Sequence, residues 1–388
     1  MKICFYKNSA GGYNAEDGGV QRISRVLSEE LTLLGFEVLY LSTASTKAPA
    51  QTDVHFLPDV EIATENNISA LHTFLKEKEI DVFLNHSGFN DKTLRLLAGV
   101  PEDVKVISVH HNCIRCLYER YADMFRINRG ALINRVVNTF GLWWLVKRLY
   151  LVRNTFLWNK MLGLSDAAVL YFESFAEELY DLNGIKSEKI KIITNPSPFD
   201  LKEEASERFS KNIVYVGRIE ENQKRIDRLL TLWSRLHQAF PDWTFDMVGD
   251  GSYLSTAKAK AKELGLDRIT FHGKQDPLPY WDKADLFTLT SDFEGFGMVL
   301  MEAQSRGVVP ITFNCFSAVH QLVNDNVSGY IINDFDEEEM FEKTAELMRD
   351  VDKLRSFKQN AVKSTGPYDR KVIAQKWVDL FNEINGDK

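Results

Sequence analysis

The 388-residue chain is too long for one compact core and fits two domains, at about 150 residues per domain. Its content of 44% hydrophobic and 26% charged residues excludes an intrinsically disordered chain, which lacks enough apolar residues to fold. With 47 Lys and Arg against 55 Asp and Glu, the formal charge of −8 argues against general nucleic-acid binding, so an anionic ligand has to be met by local basic groups.

The first residues form a short apolar run, Met1–Tyr6, that is followed at once by Lys7. This run is shorter than the apolar stretch of a signal peptide, so we expect a cytoplasmic protein. Further along, no apolar stretch reaches about 18 uncharged residues, because Lys147, Arg148 and Arg153 interrupt the best candidate. We therefore expect no membrane-spanning helix.

Short β-like runs alternate with helical patterns in the first half of the chain. The stretch 9–19 after the first run is rich in glycine, and apolar residues then recur at helical spacing over Val20–Leu34 until Gly35 ends the pattern. The β-like runs are Lys2–Tyr6, Phe36–Leu41, Asp81–Asn85, Val104–Val109, Ala167–Tyr171 and Ile190–Ile193. This alternation predicts a parallel sheet wound by helices.

The pattern breaks at Asn195–Pro198, and the charged stretch Lys202–Lys211 lacks a burial period, so we place the interdomain connection near 196–211. A second series of β-like runs follows: Ile213–Val216, Thr244–Val248, Ile269–His272, Leu286–Thr290, Val308–Thr312 and Tyr330–Ile332. Helical spacing returns over Lys371–Ile384, a segment that could bridge the two halves. We predict an α/β protein with two doubly wound domains over 1–197 and 198–365, and a C-terminal helix within 366–388.

The four cysteines are too few for a disulfide framework in a chain of this length, which agrees with a reducing compartment. Cys113 and Cys116 lie beside His110 and His111, where a zinc site is conceivable. Zinc usually takes four fixed ligands, and no second pair follows at a useful spacing. Two free thiols in a loop are therefore the favoured interpretation.

The most informative stretch follows the run Leu286–Thr290. In open α/β sheets, ligands bind beyond the carboxyl ends of the strands, where helix N-termini favour anions. Gly295 and Gly297 flank Phe296 and permit tight turns and close approach of a ligand, and a good helix former begins at Met298. The stretch predicts a phosphate at this helix start.

Two carboxylates frame the same stretch, Glu294 in the loop and Glu302 on the helix. At this spacing they need not act as a paired acid and base. They can accept hydrogen bonds from separate pairs of neighbouring hydroxyl groups, such as a sugar and a ribose present.

Glu294 and Glu302 are separated by seven residues, and the segment begins with Glu-Gly-Phe-Gly. This pattern resembles the signature of glycosyltransferase family 4, whose members are retaining enzymes of the GT-B architecture. Further segments occur in the family's order over 212–332: Val216-Gly217-Arg218, Gln223-Lys224-Arg225, Val248-Gly249-Asp250-Gly251, Phe271-His272-Gly273 and Ala284-Asp285. The first domain matches more loosely, at Gly18-Gly19-Val20, His110-His111-Asn112 and Asn195-Pro196. The resemblance implies two Rossmann-like domains that face a cleft, with the C-terminal helix crossing back to the first.

Arg218 and Lys224 suit a diphosphate independently of the family. A nucleotide diphosphate gains negative charge as the glycosidic bond breaks, and fixed cations that receive this charge are among the larger catalytic terms. Either residue alone would be interpreted as a solvated surface charge. Their position beside the glutamate-rich motif favours diphosphate binding, and the same cations together with a helix N-terminus can neutralise the charge that Mg²⁺ neutralises elsewhere.

The resemblance assigns further roles. It implies sugar hydroxyl contact by Glu294, ribose contact by Glu302, and contributions from Gly18, Gly19 and His111 in the first domain. A glycine pair alone is most often a turn. Whether His110 or His111 faces the sugar stays open, and neither side chain is assigned as a general base. The predicted nucleotide-binding residues are then Gly18, Gly19, Arg218, Lys224, Gly295, Phe296, Gly297, Met298 and Glu302. The predicted catalytic residues are Glu294, His111, Arg218 and Lys224. No metal site is predicted.

The segment 113–160 stands apart in this acidic chain because it carries nine basic residues against Glu119 and Asp123, a net charge of 9 − 2 = +7. It interleaves these charges with Trp143, Trp144 and other aromatic residues. Such composition suits an anionic membrane surface or a lipid-linked diphosphate acceptor. The apolar residues of 143–162 fall nearly all around a helix, so a buried helix with a few basic residues pointing outward is an equal alternative. The acidic run 334–339 is interpreted as a solvated first turn of a helix.

The sequence features and the family resemblance together predict a metal-independent hexosyltransferase without a cofactor, and the resemblance implies that it retains the configuration of the sugar. It would move a sugar from a UDP- or GDP-linked donor, held mainly by the second domain, to a glycan or lipid-linked acceptor, held mainly by the first, in cell-surface polysaccharide or glycolipid biosynthesis. The expected location is cytoplasmic, with peripheral contact to the membrane through 113–160. The alternatives are a nucleotide-sugar epimerase or phosphorylase on the same scaffold, and a non-catalytic nucleotide-sugar-binding subunit.

Overall fold

A computed structural model describes residues 1–8, 19–44, 53–119, 141–333 and 335–386. The chain divides into two compact units. The first consists of Met1–Pro198 with Arg370–Lys388, and the second of Phe199–Asp369. Each unit is built on its own parallel sheet.

The sheet of the first unit has seven strands in the order β3-β2-β1-β4-β5-β6-β7, and all its neighbours pair in parallel. Its strands are β1 Lys2–Tyr6, β2 Glu37–Ser42, β3 Val54–Phe56, β4 Val82–Asn85, β5 Lys105–Val109, β6 Ala167–Leu170 and β7 Ile190–Ile192. The central strands β1 and β4 are almost wholly buried, as expected for a parallel sheet covered by helices on both faces.

Within the described residues, the helices of the first unit include α1 Gly19–Leu33, α2 Glu65–Glu77, α3 Asp91–Leu97, α4 Trp143–Leu164, α5 Glu173–Asn183 and the C-terminal α13 Arg370–Asn385. Helix α13 packs on α1 although more than 300 residues separate them in sequence. It buries Trp377 and Phe381, and the Phe381 ring lies 5.8 Å from the Phe36 ring. An ion pair of 2.6 Å between Lys191 and Glu383 also links α13 to the first unit.

The sheet of the second unit has six strands in the order β10-β9-β8-β11-β12-β13, again all parallel. Its strands are β8 Asn212–Val216, β9 Thr244–Val248, β10 Ile269–Gly273, β11 Leu286–Leu289, β12 Val309–Phe313 and β13 Tyr330–Ile332. The helices are α6 Ile226–Ala239, α7 Leu254–Glu263, α8 Leu278–Lys283, α9 Met298–Ser305, α10 Val319–Leu322, α11 Glu337–Arg349 and α12 Val351–Ser364. The predicted α/β class with two doubly wound parallel sheets is confirmed.

The structure adds one strand that the sequence pattern did not indicate. Strand β3 has three residues, Val54, His55 and Phe56, and lies at the edge of its sheet. A strand this short is not recognisable from an alternation of apolar and polar residues. It is identified as a strand by its parallel pairing with β2. Within the acidic run, Asp336 caps α11 by accepting hydrogen bonds from the N–H groups of Glu338 and Glu339. Residue 334 lies outside the described part of the chain.

Candidate functional site

The strand order of the second sheet reverses between β8 and β11, which are neighbours in the sheet but lie about 70 residues apart in sequence. Loops that leave two such strands diverge to opposite faces of the sheet and open a crevice at its carboxyl edge. The loops concerned are 217–225 and 290–297. They carry Arg218, Lys224 and Glu294, so the structure brings together the three charged residues predicted to meet the donor.

The strand ends pack closely at this edge because two glycines lie there. The N–H of Gly217 donates to Val248 O at 3.0 Å. At Gly249, where φ is +147°, an added Cβ would lie 1.8 Å from Gly217 O. No side chain fits at that distance, which explains in steric terms why glycine follows β9. At Gly217, where φ is +152°, an added Cβ would lie 3.0 Å from the Tyr215 hydroxyl.

Hydrogen bonds join the two loops directly. Arg218 Nη2 donates to Gln223 Oε1 at 2.8 Å, and Gln223 Nε2 donates to Phe293 O at 3.2 Å. The main chain adds a bond from Asp292 N to Gln223 O at 2.9 Å. The guanidinium of Arg218 is thereby positioned over the crevice loops while 62% of its side chain stays exposed.

A buried ion pair lies beneath these bonds. Lys224 Nζ donates to Glu294 Oε1 at 2.6 Å, and both residues are more than nine-tenths buried. Burying two charges is costly unless they are paired closely, so each residue depends on the other. The pair fixes one ammonium and one carboxylate at the crevice.

Arg225, next in the chain, has a backbone conformation that is unusual for a residue with a side chain. Its φ is +49°, in the left-handed region, which costs about 1–2 kcal/mol relative to ordinary helical geometry. Ion pairs with Asp227 at 2.9 Å and Asp292 at 3.4 Å hold it, and they raise the pKa of the guanidinium. Arg228 reinforces Asp292 at 2.5 Å. Sequence reasoning missed the contacts of Arg225 and Arg228 with Asp292 because these residues meet only after β8 and β11 have paired.

The loop 290–297 ends in the helix start predicted to seat a phosphate. Gly297 precedes α9 with φ +81°, and an added Cβ would lie 2.7 Å from Phe316 Cζ. Phe296 is buried, whereas Gly295 and Met298 are partly exposed. The first N–H groups of α9 therefore lie at the carboxyl end of β11, where anions are favoured.

Glu302 lies in the second turn of α9 and is buried, with 4% of the residue exposed. Trp281 Nε1 donates to its Oε2 at 3.3 Å. The carboxylate is therefore buried and hydrogen-bonded, and not exposed to solvent on the surface of the helix. Its contact with a ribose stays a prediction.

Cys315, after β12, also lies near the charged pair. Burial raises the pKa of its thiol well above the usual range, and the Glu294 carboxylate adds to the effect. The sequence singled out no function for this thiol. At neutral pH it is protonated and acts as a packed apolar group.

The first unit has a corresponding set of residues at its own reversal point, between β1 and β4. Lys7 follows β1, His86 follows β4, and His110 and His111 follow β5. His111 Nε2 lies 3.2 Å from His86 Nδ1, and the Tyr171 hydroxyl hydrogen-bonds to His111 Nδ1. Lys7 and His86 were not predicted, although both directly follow a predicted strand, which is the signal that could have found them.

Burial lowers the pKa of these histidines. The pKa falls to about 3 for His86 and to about 4 for His110, and that of His111 falls well below its usual value, with Lys7 contributing to the shifts at His86 and His111. All three rings are neutral at pH 7. Both His110 and His111 face the same cavity, so the choice between them stays open.

Two other predicted positions in this unit concern the glycine pair. Gly18 lies outside the described residues. Gly19 opens α1, is exposed, and has nothing within 4 Å of an added Cβ. Among the described residues, the space beside Gly19 is therefore open, as a ligand-approaching glycine needs.

The conceivable zinc ligands have other partners. Cys113 is buried with its thiol 3.6 Å from both Glu178 carboxylate oxygens, and Cys116 is buried nearby. Within the described ranges, no group of three or more His, Cys, Asp or Glu side chains is arranged to hold a metal ion. In the same part of the chain, no helix combines the length and apolar character needed to cross a bilayer.

Comparison with known proteins agrees with this geometry. Residues 198–364, nearly the whole second unit, match the model of the family "Glycosyl transferases group 1". The chain is 24% identical over 370 residues to an "Uncharacterized glycosyltransferase" of Haemophilus influenzae, covering 94% of this chain and 96% of that protein. It is 34% identical over 161 residues to the lipopolysaccharide 1,6-galactosyltransferase of Escherichia coli K12, covering 38% of this chain and 43% of that protein.

Among solved structures, that of Anabaena Alr3699/HepE in complex with UDP aligns with a TM-score of 0.71 at 14% identity, over 99% of this chain and all of the other. At this identity the likeness shows the fold alone. The two doubly wound sheets and the matching relatives together support a glycosyltransferase of the GT-B fold. Its relatives include enzymes of polysaccharide and lipopolysaccharide biosynthesis.

Proposed function

We propose that this protein is a retaining, metal-independent hexosyltransferase. It transfers a sugar from a nucleotide diphosphate donor to a glycan or lipid-linked acceptor in cell-surface polysaccharide or glycolipid biosynthesis. The observation that carries the proposal is the convergence of Arg218, Lys224 and Glu294 at the reversal point of the second sheet, beside the start of α9. The comparisons do not favour the epimerase, phosphorylase or non-catalytic alternatives.

The cations account for the leaving group. As the glycosidic bond breaks, negative charge develops on the diphosphate, and fixed donors aimed at that charge lower the barrier. Arg218 has an exposed guanidinium whose planar fork can match two phosphate oxygens in place of its present partners, Glu220 and Gln223. Lys224 supplies a compact charge at the base of the crevice. A relative of the same fold was solved with UDP, which supports a uridine nucleotide as the first donor to test.

The carboxylates account for the hydroxyl groups of the donor. Glu294 is fixed by Lys224 through one oxygen, Oε1, and the other oxygen can accept a bond from a sugar hydroxyl. Glu302 is the proposed ribose contact, one helix turn further from the loop. The leaving diphosphate is held by cations and a helix N-terminus. The acceptor hydroxyl forms its bond to the anomeric carbon on the face that the diphosphate leaves, the bond to the diphosphate breaks, and the hydroxyl proton passes to a diphosphate oxygen, so the sugar keeps its configuration.

The decisive experiment is a thermal-shift panel of UDP-, GDP- and ADP-linked sugars. A ligand at 100 times its dissociation constant stabilises the folded state by about 2.7 kcal/mol. We expect one nucleotide class to raise the melting temperature. The donor that stabilises is then incubated with acceptor in EDTA, and the anomeric configuration of the product is determined by NMR. Failure of all nucleotides to bind, transfer that requires Mg²⁺, or inversion at the anomeric carbon would each contradict the corresponding part of the proposal.

We also propose peripheral contact with an anionic membrane through one face of α4. Trp144, Val152 and Phe156 are each 63% exposed and recur at intervals of four and eight residues, so they share one face of the helix with Arg148. Four basic residues and no acidic residue occur over 141–164. Each basic residue near an anionic headgroup layer contributes about 1 kcal/mol. Charge and exposed apolar area thus favour the same partner, an anionic lipid surface.

A further inference from the structure

The first unit contains a cavity of about 450 Å³ at the carboxyl edge of its sheet. It lies at the reversal point between β1 and β4, where Lys7, His86 and His111 meet. Helix α4 forms another wall through Tyr150 and Arg153. A cavity of this volume can enclose one or two sugar rings.

The wall is rich in hydrogen-bonding groups and contains no carboxylate among the described residues. Ser87, three asparagines, three histidines and Tyr150 line it, together with the two cations Lys7 and Arg153. Neutral sugars are usually held by carboxylates as well as amides, because carboxylates accept strongly from hydroxyl groups. A wall with two positive charges and no negative charge is matched to a ligand that carries an anion.

Of the two cations in the wall, Lys7 gives the stronger argument for an anionic ligand. Its ammonium donates to the main-chain O of His86 at 3.1 Å, and within the described ranges no carboxylate lies within ion-pair distance of it. Burial lowers the pKa of Lys7, so its charge is held at a cost in free energy. A partly buried cation that has no carboxylate partner among the described residues is held at a cost, and an anionic ligand would offset that cost.

The histidines leave further unused capacity in the same wall. His86 Nε2 and His110 Nε2 are buried and have no hydrogen-bond partner among the residues that the structure describes. His86 is anchored through its other nitrogen to His111, which is anchored in turn to Tyr171. Buried polar atoms are nearly always paired, so these two nitrogens are unused hydrogen-bonding groups in residues that line the cavity.

We propose that this cavity binds the acceptor through an oxyanion, a phosphate or a carboxylate attached to a sugar, held by Lys7 and Arg153. The inference rests on the proposed function, since it names the class of acceptor for that reaction. Phosphate and carboxylate share the chemistry that two cations recognise, and they differ in charge and in the number of oxygens. Lys7 and Arg153 act in binding the acceptor and take no part in bond breaking.

The test is calorimetric titration of the full chain with three probes at one ionic strength: glucose 1-phosphate, glucuronate and glucose. We expect at least a tenfold tighter association for one or both anionic probes than for glucose. Lys7→Met should remove this preference, Arg153→Met should reduce it, and Lys258→Met, on an exposed position of α7, should leave it unchanged. A phosphate-specific preference indicates a phosphoester acceptor, and a preference for glucuronate indicates a uronate acceptor.

Arg218→Ala separates this cavity from the diphosphate site of the second unit. In Arg218→Ala, the preference for the anionic probes should persist and UDP binding should weaken. In Lys7→Met, UDP binding should persist. The inference would be overturned by equal binding of all three probes or by no binding of either anionic probe. It would also be overturned if the preference were lost in Arg218→Ala but kept in Lys7→Met. Because UDP binding is measured separately, its failure in the wild-type protein contradicts the proposed function and not the anion preference.

Lys7→Met also has a readout that needs no ligand. Removing a partly buried charge that has no carboxylate partner in the described ranges, while keeping a similar side-chain volume, should leave the melting temperature unchanged or raise it. A structural role for Lys7 predicts the opposite, a lower melting temperature together with unchanged probe binding.

Discussion

Lys224 Nζ lies 2.6 Å from Glu294 Oε1, with only 10% and 8% of the two side chains exposed. The residues come from loops that follow β8 and β11, the two strands between which the order of the second sheet reverses. One ion pair therefore joins the cation proposed for the diphosphate to the carboxylate proposed for the sugar. Its burial makes it part of the fold as well as of the site.

The first prediction concerns the stability of this pair. Removing one partner of a buried ion pair leaves an uncompensated charge and costs about 3–5 kcal/mol of unfolding free energy. We expect that loss for Lys224→Met and for Glu294→Gln, and recovery of most of it in the double variant, as measured by denaturant unfolding of the second unit. The double variant should not recover transfer. Additive losses would show that the two residues do not depend on each other.

The second prediction concerns Arg218, whose exposed side chain contributes little to the fold. Loss of a hydrogen-bonded charge pair with a phosphate costs about 1.5–3 kcal/mol, so Arg218→Ala should weaken UDP binding about 10- to 100-fold with an unchanged melting temperature. Arg355→Ala removes the same charge from α12, where 43% of the side chain is exposed, and serves as the control. Equal effects of the two substitutions on UDP binding would exclude a specific phosphate contact.

The third prediction tests the close approach of the strand ends. In Gly249→Ala the new Cβ would lie 1.8 Å from Gly217 O, and the main chain has to move. We expect a loss of more than about 2 kcal/mol of unfolding free energy and weaker UDP binding, because the loop that carries Arg218 shifts. Gly265→Ala is the matched control, since its φ of +67° also favours glycine but nothing lies within 4 Å of the added atom. Its cost should be about 1–2 kcal/mol, with UDP binding unaffected.

The fourth prediction concerns pH. The pKa of His86 is lowered to about 3 and that of His110 to about 4, so both rings stay neutral in the folded state while they become protonated in the unfolded state below about pH 6.5. The unfolded state then binds more protons, and the unfolding free energy falls as the pH is lowered from about 6.5 toward 4. Each ring contributes up to about 1.4 kcal/mol per pH unit.

Unfolding curves of the wild type and of His110→Gln at pH 7.0, 6.0 and 5.0 measure this effect. The variant should show a smaller decrease of unfolding free energy with falling pH. The same pH dependence in both proteins would mean that His110 titrates alike in the folded and unfolded states.

The fifth prediction concerns the exposed face of α4. The wild-type protein should co-sediment with vesicles that contain phosphatidylglycerol and much less with vesicles of phosphatidylcholine alone, and high salt should weaken the association. Arg148→Glu and Phe156→Ser should each reduce it, because charge and apolar burial both contribute. Lys258→Glu changes the charge equally on the second unit and should have no effect. Binding that is insensitive to Arg148→Glu and Phe156→Ser would assign membrane contact to another surface.

Much of the fold followed from local patterns. Buried parallel strands are continuous apolar runs, and the runs in the sequence predicted all the strands except β3. The segment Glu294–Glu302 was recognisable because its glycines, helix start and carboxylates are neighbours in the chain. Strand β3 escaped because an edge strand of three residues has no pattern of its own.

The segment that forms α4 shows what a local sequence pattern does not determine, namely which face of a helix is buried. Its apolar residues surround the helix, so the sequence allowed either a buried helix or a membrane contact. Packing of Trp158 and Met161 against the first unit decided that one face is buried, and the same packing left Trp144 and Phe156 exposed.

The sequence by itself determined the two doubly wound sheets and the position of the glutamate-rich loop, because those depend on residues within one strand, turn or helix. Only the tertiary structure decided that Lys224 pairs with Glu294 across 70 residues, and that His86 contacts His111 across 25. Such contacts arise when strands distant in the chain become neighbours in a sheet. The energies that hold them, burial of charge and completion of hydrogen bonds, exist only after that pairing has formed.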